Sequence, residues 1–162
     1  MEGLFLVDIK EGLKKSYQDF FNDLNQPTYS FSTSINAVNI YELYVQLIRS
    51  LILEEEVQFD LKRTEMGKVG LKKIYPNPYF GKSLDDYIKI LKNTTSWKLE
   101  MATSGTTGLP KKVVHSFSSL TRSIKINEHR KADIWGLAYN PTHMAGMQVF
   151  FQAFLNKNTI IN

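Results

Sequence analysis

Apolar residues recur at helical spacing from about Asp8 to Leu24, at Ile9, Leu13, Tyr17, Phe20, Phe21 and Leu24, with lysines and acids between them. This predicts an amphipathic helix ended by Asn25-Gln26-Pro27. Tyr29 to Ile35 alternates aromatic or apolar with small polar residues and reads as a short strand. Asn39, three residues before Glu42, has the spacing of a capping box and opens a helix over about Ile40–Leu53. The apolar face of that helix (Tyr41, Tyr44, Val45, Ile48, Leu51, Ile52) is wide enough for deep burial. Glu54-Glu55-Glu56 reads as a solvated helix end; three carboxylates could bind a metal, but adjacent residues on a helix point in different directions, which disfavours that reading.

Val57 to Gly70 carries little periodicity, and its charges place it at the surface. Ile74-Tyr75-Pro76-Asn77-Pro78-Tyr79-Phe80-Gly81 reads as a turn-rich aromatic loop that caps a core. Ser83 with Asp86 starts a further helix through Leu84, Tyr87, Ile88 and Leu91, ending near Asn93. Trp97, Leu99 and Met101 alternate with Lys98 and Glu100 as a strand does, and Val113-Val114 begins a second one. Beyond it the pattern predicts a helix over Ser116–Lys131, a buried strand over Ala132–Tyr139, a helix over Met144–Leu155 and a last strand at Thr159-Ile160-Ile161. Alternation of strands and helices makes the expected fold class α/β, with helices packed on a mixed β-sheet.

Composition changes this picture little. The 162 residues, 43% hydrophobic and 22% charged, suffice for a sizeable core. There are no cysteines, which excludes disulfides and thiolate metal sites. The net charge of +4 suits an anionic ligand, but Lys62-Arg63, Lys72-Lys73 and Arg130-Lys131 are only pairs, so nucleic acid is not an expected partner. No basic leader with a long apolar run opens the chain, and no apolar run is long enough for a transmembrane helix; the expected location is cytoplasmic. His115, His129 and His143 lack short ligand spacing, so no metal site is expected from them.

The chemistry concentrates between the two central strands, in Thr103-Ser104-Gly105-Thr106-Thr107-Gly108-Leu109-Pro110-Lys111-Lys112. Gly105 and Gly108 permit close backbone approach to a ligand, Thr103, Ser104, Thr106 and Thr107 offer hydroxyls, and Lys111 adds a full charge. Backbone N–H groups converging in such a turn make an anion cradle. By composition alone a surface loop has the same residues. The Walker pattern fails, because Pro110 and Lys112 stand where it needs glycine and a hydroxyl, and the two glycines do not give the dinucleotide fingerprint. The loop is also expected to join two strands, whereas a Walker loop opens a helix.

The order Ser104-Gly105-Thr106-Thr107-Gly108-Leu109-Pro110-Lys111 resembles the phosphate-loop signature of the adenylate-forming enzymes, which include acyl- and aryl-CoA synthetases, non-ribosomal peptide synthetase adenylation domains and luciferases. Lys112 stands where that family usually has glycine, and a position requiring positive φ would strain lysine. Asn140-Pro141-Thr142-His143-Met144-Ala145-Gly146 loosely resembles a second motif of the family, Pro-x-x-His-x-x-Gly between an apolar strand and a helix. A histidine before a helix is more commonly a structural hydrogen-bonding residue; the placement downstream of the phosphate loop is what favours the functional reading.

The resemblance implies an AMP-forming acid–thiol ligase. A carboxylate oxygen attacks the α-phosphorus of ATP, giving an acyl-adenylate and pyrophosphate, and the acyl group then passes to coenzyme A or a carrier pantetheine. It implies an ATP/AMP site at Thr103, Ser104, Gly105, Thr106, Thr107, Gly108 and Lys111, with His143 and Gly146 on the carboxylate side. Mg²⁺ would be held by residues further along the family's sequence, and no catalytic residue is assigned here. Residues 1–96 would form an N-terminal scaffold and residues 97–162 the start of the ATP-binding core. The chain would then be the N-terminal portion of a longer enzyme, inactive by itself. Two other readings stand beside the CoA ligase: an adenylation domain loading a carrier protein, and a non-catalytic nucleotide-binding or interaction module.

Overall fold

The computed structural model describes residues 3–59, 72–103 and 111–162. The chain opens with strands β1 (Leu4–Asp8) and β2 (Leu13–Ser16), helix α1 (Tyr17–Leu24), and strands β3 (Thr28–Phe31) and β4 (Ser34–Ile35). Helix α2 (Ile40–Leu53), strands β5 (Val57–Phe59) and β6 (Lys73–Pro76) and helix α3 (Leu84–Lys92) follow. Strands β7 (Lys98–Thr103) and β8 (Lys111–Ser116), helix α4 (Phe117–Thr121), strand β9 (Ile134–Gly136), helix α5 (Met144–Asn156) and strand β10 (Thr159–Ile161) complete it. The fold is mixed α/β, in two compact units: Met1–Asp23 with Ser118–Asn162, and Leu24–Phe117.

The first unit is built on a sheet of order β2-β1-β10-β9, antiparallel between β1 and β2 and parallel elsewhere. The expected helix from Asp8 begins only at Tyr17. Residues before it form a hairpin that turns at Gly12, whose φ of +63 suits glycine, and Ile9 is 72% exposed. Pairing of β1 with β10 decides this, because it puts Phe5 and Leu6 in the core. The true helix start carries a local signal: Ser16 Oγ accepts from the Asp19 N–H (3.0 Å), while the Asp19 carboxylate accepts from the Ser16 N–H (2.8 Å) and hydroxyl (2.7 Å). These bonds hold the Asp19 carboxyl below its usual range, those from the Ser16 backbone and side chain being the largest cause.

The core of this unit is aromatic. Phe5 lies 4.2 Å from Phe20 between ring centroids, and Phe150 stacks on Phe154 at 5.7 Å. The Tyr17 hydroxyl donates to the Asn158 carbonyl at 2.8 Å, and burial raises its pKa far above the ordinary phenol value. The expected helix over Ser116–Lys131 is cut to α4 and a 3₁₀ turn at Glu128–Arg130. Side chains of α5 account for the rest. The Gln152 amide brackets Lys125, accepting from its N–H (3.1 Å) and donating to its carbonyl (2.9 Å), and Asn156 Oδ1 accepts from the Asn127 N–H at 3.2 Å. A continuous helix would use those backbone groups internally. The strand expected to be buried over Ala132–Tyr139 shortens to β9, which ends the sheet order and leaves Ile134 66% exposed. Helix α5 and strand β10 form where the pattern puts them, and α5 packs on β9 and β10.

The second unit holds a sheet of order β4-β5-β7-β8, parallel except between β7 and β8, and an antiparallel pair of β3 with β6. The strand expected over Tyr29–Ile35 is therefore two strands in two sheets. The aromatic loop expected from Ile74 begins as strand β6, since Lys73–Pro76 pairs residue for residue with β3. Helix α2 matches its expected bounds. Asn39 Oδ1 accepts from the Glu42 N–H at 2.9 Å, while Glu42 reaches back to the Val38 N–H. Helix α3 carries a complete capping box between Ser83 and Asp86. Between them lie Tyr44, Leu47, Ile48, Leu51, Tyr87 and Leu91, all fully buried or nearly so. Asn77 ties the following turn down, donating to the Gln26 carbonyl (2.9 Å) and the Tyr87 hydroxyl (2.8 Å). Of the surface segment expected over residues 57–70, residues 57–59 instead form β5, whose pairing with β4 and β7 buries Val57 and Phe59, and the charged remainder lies outside the described residues.

Candidate functional site

The candidate phosphate loop is carried by the β7–β8 hairpin. Strand β7 forms because Trp97, Leu99 and Met101 alternate inward and are buried to 2% exposure or less. Trp97 is fixed further by its Nε1–H, which donates to Ser50 Oγ of α2 at 2.8 Å. Six register pairs join β7 to β8, from Lys98 with Ser116 to Thr103 with Lys111. The ladder thus closes at Thr103 and Lys111 and brings together the two ends of the loop. Ser104, Gly105, Thr106, Thr107 and Gly108 lie outside the described residues. The expectation that the loop joins two strands, rather than opening a helix, agrees with both flanks.

Lys112, the departure from the family pattern, sits in extended strand and not at positive φ; among the described non-glycine residues only Glu54 and Lys157 have positive φ. Its ammonium pairs with the Glu100 carboxylate at 2.7 Å. Sequence reasoning did not single out Glu100. Its signal is the outward position of an acid on β7 beside a cation on the neighbouring strand, which becomes readable once the register is known. A cleft of about 140 Å³ adjoins Glu100, lined also by Thr33, Glu56, Val57 and Gln58. His115 pairs with Leu99 across the hairpin and is half-buried, and that burial lowers its pKa below the ordinary imidazole value.

His143 and Gly146 belong to the other unit, at the start of α5. Asn140 organises the turn before that helix. Its Oδ1 accepts from the Thr142 N–H (2.9 Å) and hydroxyl (2.8 Å), and its carbonyl accepts from the His143 N–H (3.0 Å). Such a side-chain turn is a known habit of asparagine, so this residue was findable from sequence. His143 is the N-cap by backbone, with φ −101 and ψ 161, yet its imidazole makes no capping bond and is exposed. A structural hydrogen-bonding role at the cap is therefore not what it performs. Gly146 is buried, and a Cβ there would fall 2.2 Å from the Asn140 carbonyl oxygen and 2.8 Å from Pro141 Cα. The close packing expected of Gly146 is present.

His129 is exposed on the 3₁₀ turn. Among the described residues no group of three or more His, Asp or Glu side chains is placed to hold a metal ion, and no helix is long and apolar enough to cross a membrane. Comparison with known families found no family model that matches the chain, and comparison with curated proteins found no significant match.

Proposed function

We propose that this chain carries the phosphate-binding hairpin of an AMP-forming acid–thiol ligase, in which ATP and a carboxylate form an acyl-adenylate and pyrophosphate, and the acyl group passes to coenzyme A. The observation that supports this reading best is the register pair Thr103–Lys111, which closes an antiparallel hairpin at the two ends of the Ser-Gly-Thr-Thr-Gly-Leu-Pro sequence. In such a loop Thr103, Ser104, Thr106, Thr107 and the backbone at Gly105 and Gly108 would cradle the phosphates. Lys111 would neutralise charge that builds on the leaving pyrophosphate. His143, with an imidazole not spent on capping, and Gly146, which packs the turn before α5, are the residues the resemblance assigns to the carboxylate.

Among the described residues no cluster of carboxylates is placed to hold Mg²⁺. An acceptor pantetheine on a carrier protein in place of coenzyme A would use the same adenylation chemistry. Titration of the chain with inorganic pyrophosphate, read by calorimetry, tests the reading. Saturable binding is expected, weakened about tenfold in Lys111→Ala, the scale of one lost charge-assisted contact. No saturable binding, or binding indifferent to Lys111→Ala, would remove the proposal's basis.

A further inference from the structure

We propose that β6 and the turn after it form a membrane-contact site, in which exposed Ile74 and Phe80 seat on an anionic lipid surface between Lys72, Lys73 and Lys82. The proposal goes beyond the phosphate-loop reading and does not depend on it. Residues 24–31 and 72–82 are held together by the β3–β6 pair and by Asn77, which donates to the carbonyls of Leu24 (3.2 Å) and Gln26 (2.9 Å). These two segments contain the three lysines and no Asp or Glu. Among the described residues no carboxylate forms an ion pair with any of the three. Asp86 lies within electrostatic reach of Lys82, but its carboxylate is bonded to the Ser83 N–H (3.2 Å) and hydroxyl (2.6 Å).

A single exposed apolar residue carries no meaning, but here two of them coincide with an acid-free set of lysines. In the β3–β6 pair Tyr29 and Phe31 are buried, and the opposite face carries Thr28, Ser30, Ile74 and Pro76, with Ile74 77% exposed. Phe80, in the turn that follows, is 56% exposed. That turn is stiffly built. Asn77 is buried and accepts from the Tyr79 N–H at 3.0 Å, and the Gly81 N–H donates to Asn25 Oδ1 at 2.8 Å from a φ of +83 that suits glycine. Phe80 is thus presented to solvent by a scaffold that needs no ordering on binding. A folded protein partner would need a pocket shaped for these side chains. A fluid lipid surface needs only protruding apolar groups among cations, with the lysine stems lying along the apolar layer and their ammonium groups at the headgroups.

The test sediments the full chain with vesicles of phosphatidylcholine alone or with about 30% phosphatidylserine, at low salt. Binding to the anionic vesicles is expected to be at least about tenfold tighter than to the neutral ones and to weaken as salt rises. Lys72→Gln with Lys73→Gln should lose about tenfold or more, at roughly fivefold per lysine. Lys10→Gln with Lys14→Gln removes the same charge from the other unit and should change binding by less than about twofold. Ile74→Ser with Phe80→Ser should lose about tenfold, with an unfolding midpoint equal to the parent's because both side chains are exposed. Phe80→Trp, a variant that keeps the apolar group, should bind like the parent and be quenched by brominated acyl chains above the level set by Trp97 and Trp135. Failure to bind either vesicle overturns the proposal and leaves the surface to a protein partner. An equal loss from the Lys10 and Lys14 pair overturns it in favour of net charge alone. Binding indifferent to the Ile74 and Phe80 pair, or no added quenching in Phe80→Trp, overturns the apolar contact on which it stands.

Discussion

The β7–β8 hairpin and the turn that opens α5 both carry candidate site residues, but they are held in different ways. The hairpin is set by a ladder of backbone bonds and by Trp97, Leu99 and Met101 facing a core. Its outward positions are open enough to hold an exposed ion pair between Glu100 and Lys112. The turn is set by contact between backbone segments, with the Asn140 carbonyl packed where a side chain on Gly146 would have to go. The hairpin should tolerate outward substitutions that the turn cannot.

Gly146→Ala is the strongest way to test that contrast. The added carbon meets backbone, so the turn or the helix start must move, at a cost of about 3 kcal/mol, the upper part of the range for overpacking. Chemical denaturation checks it, and a variant as stable as the parent would break the comparison. Asn140→Ala removes both side-chain bonds to Thr142 and leaves the backbone carbonyl in place. A loss of about 1 kcal/mol in the same assay is expected, the usual weight of an exposed turn bond or two. On the hairpin, Lys112→Ala breaks an exposed pair and should cost no more than about 0.5 kcal/mol. A larger loss would show that the ion pair, and not the ladder, sets the register.

The smallest effect expected is pH-dependent and belongs to His115. Burial depresses its folded-state pKa below the ordinary value of about 6.5. A neutral imidazole is thus favoured in the folded hairpin. Its contribution is complete above about pH 6.5 and is lost as pH falls through the depressed value. Denaturation midpoints measured between pH 7.5 and 5 should decline modestly, and His115→Gln should flatten that decline.

The same contrast governs what could be read in advance. The strands flanking the loop were legible because inward alternation and one polar, glycine-rich interruption are local signals. Helices α2 and α3 were legible through their caps, Asn39 with Glu42 and Ser83 with Asp86. The stretch from Asp8 was not, because Ile9 and Leu13 fall at helical spacing while the partner that makes β1 a strand lies at the far end of the chain. Residues 122–131 failed for a similar reason, since Gln152 and Asn156 claim the backbone groups a helix would use. Of the candidate site, the strands flanking the loop were legible, while Glu100 had no meaning before the register was known.

By itself, the sequence determined the capped helices α2 and α3, whose hydrogen bonds are closed within a few residues, and the two strands of the β7–β8 ladder. Tertiary structure alone decided the order β2-β1-β10-β9, the division of Tyr29–Ile35 between two sheets, and the pairing of Lys112 with Glu100. Those features depend on which distant backbone supplies the other half of a hydrogen bond or the other charge of a pair, and nothing in a local pattern of apolar and polar residues specifies that partner.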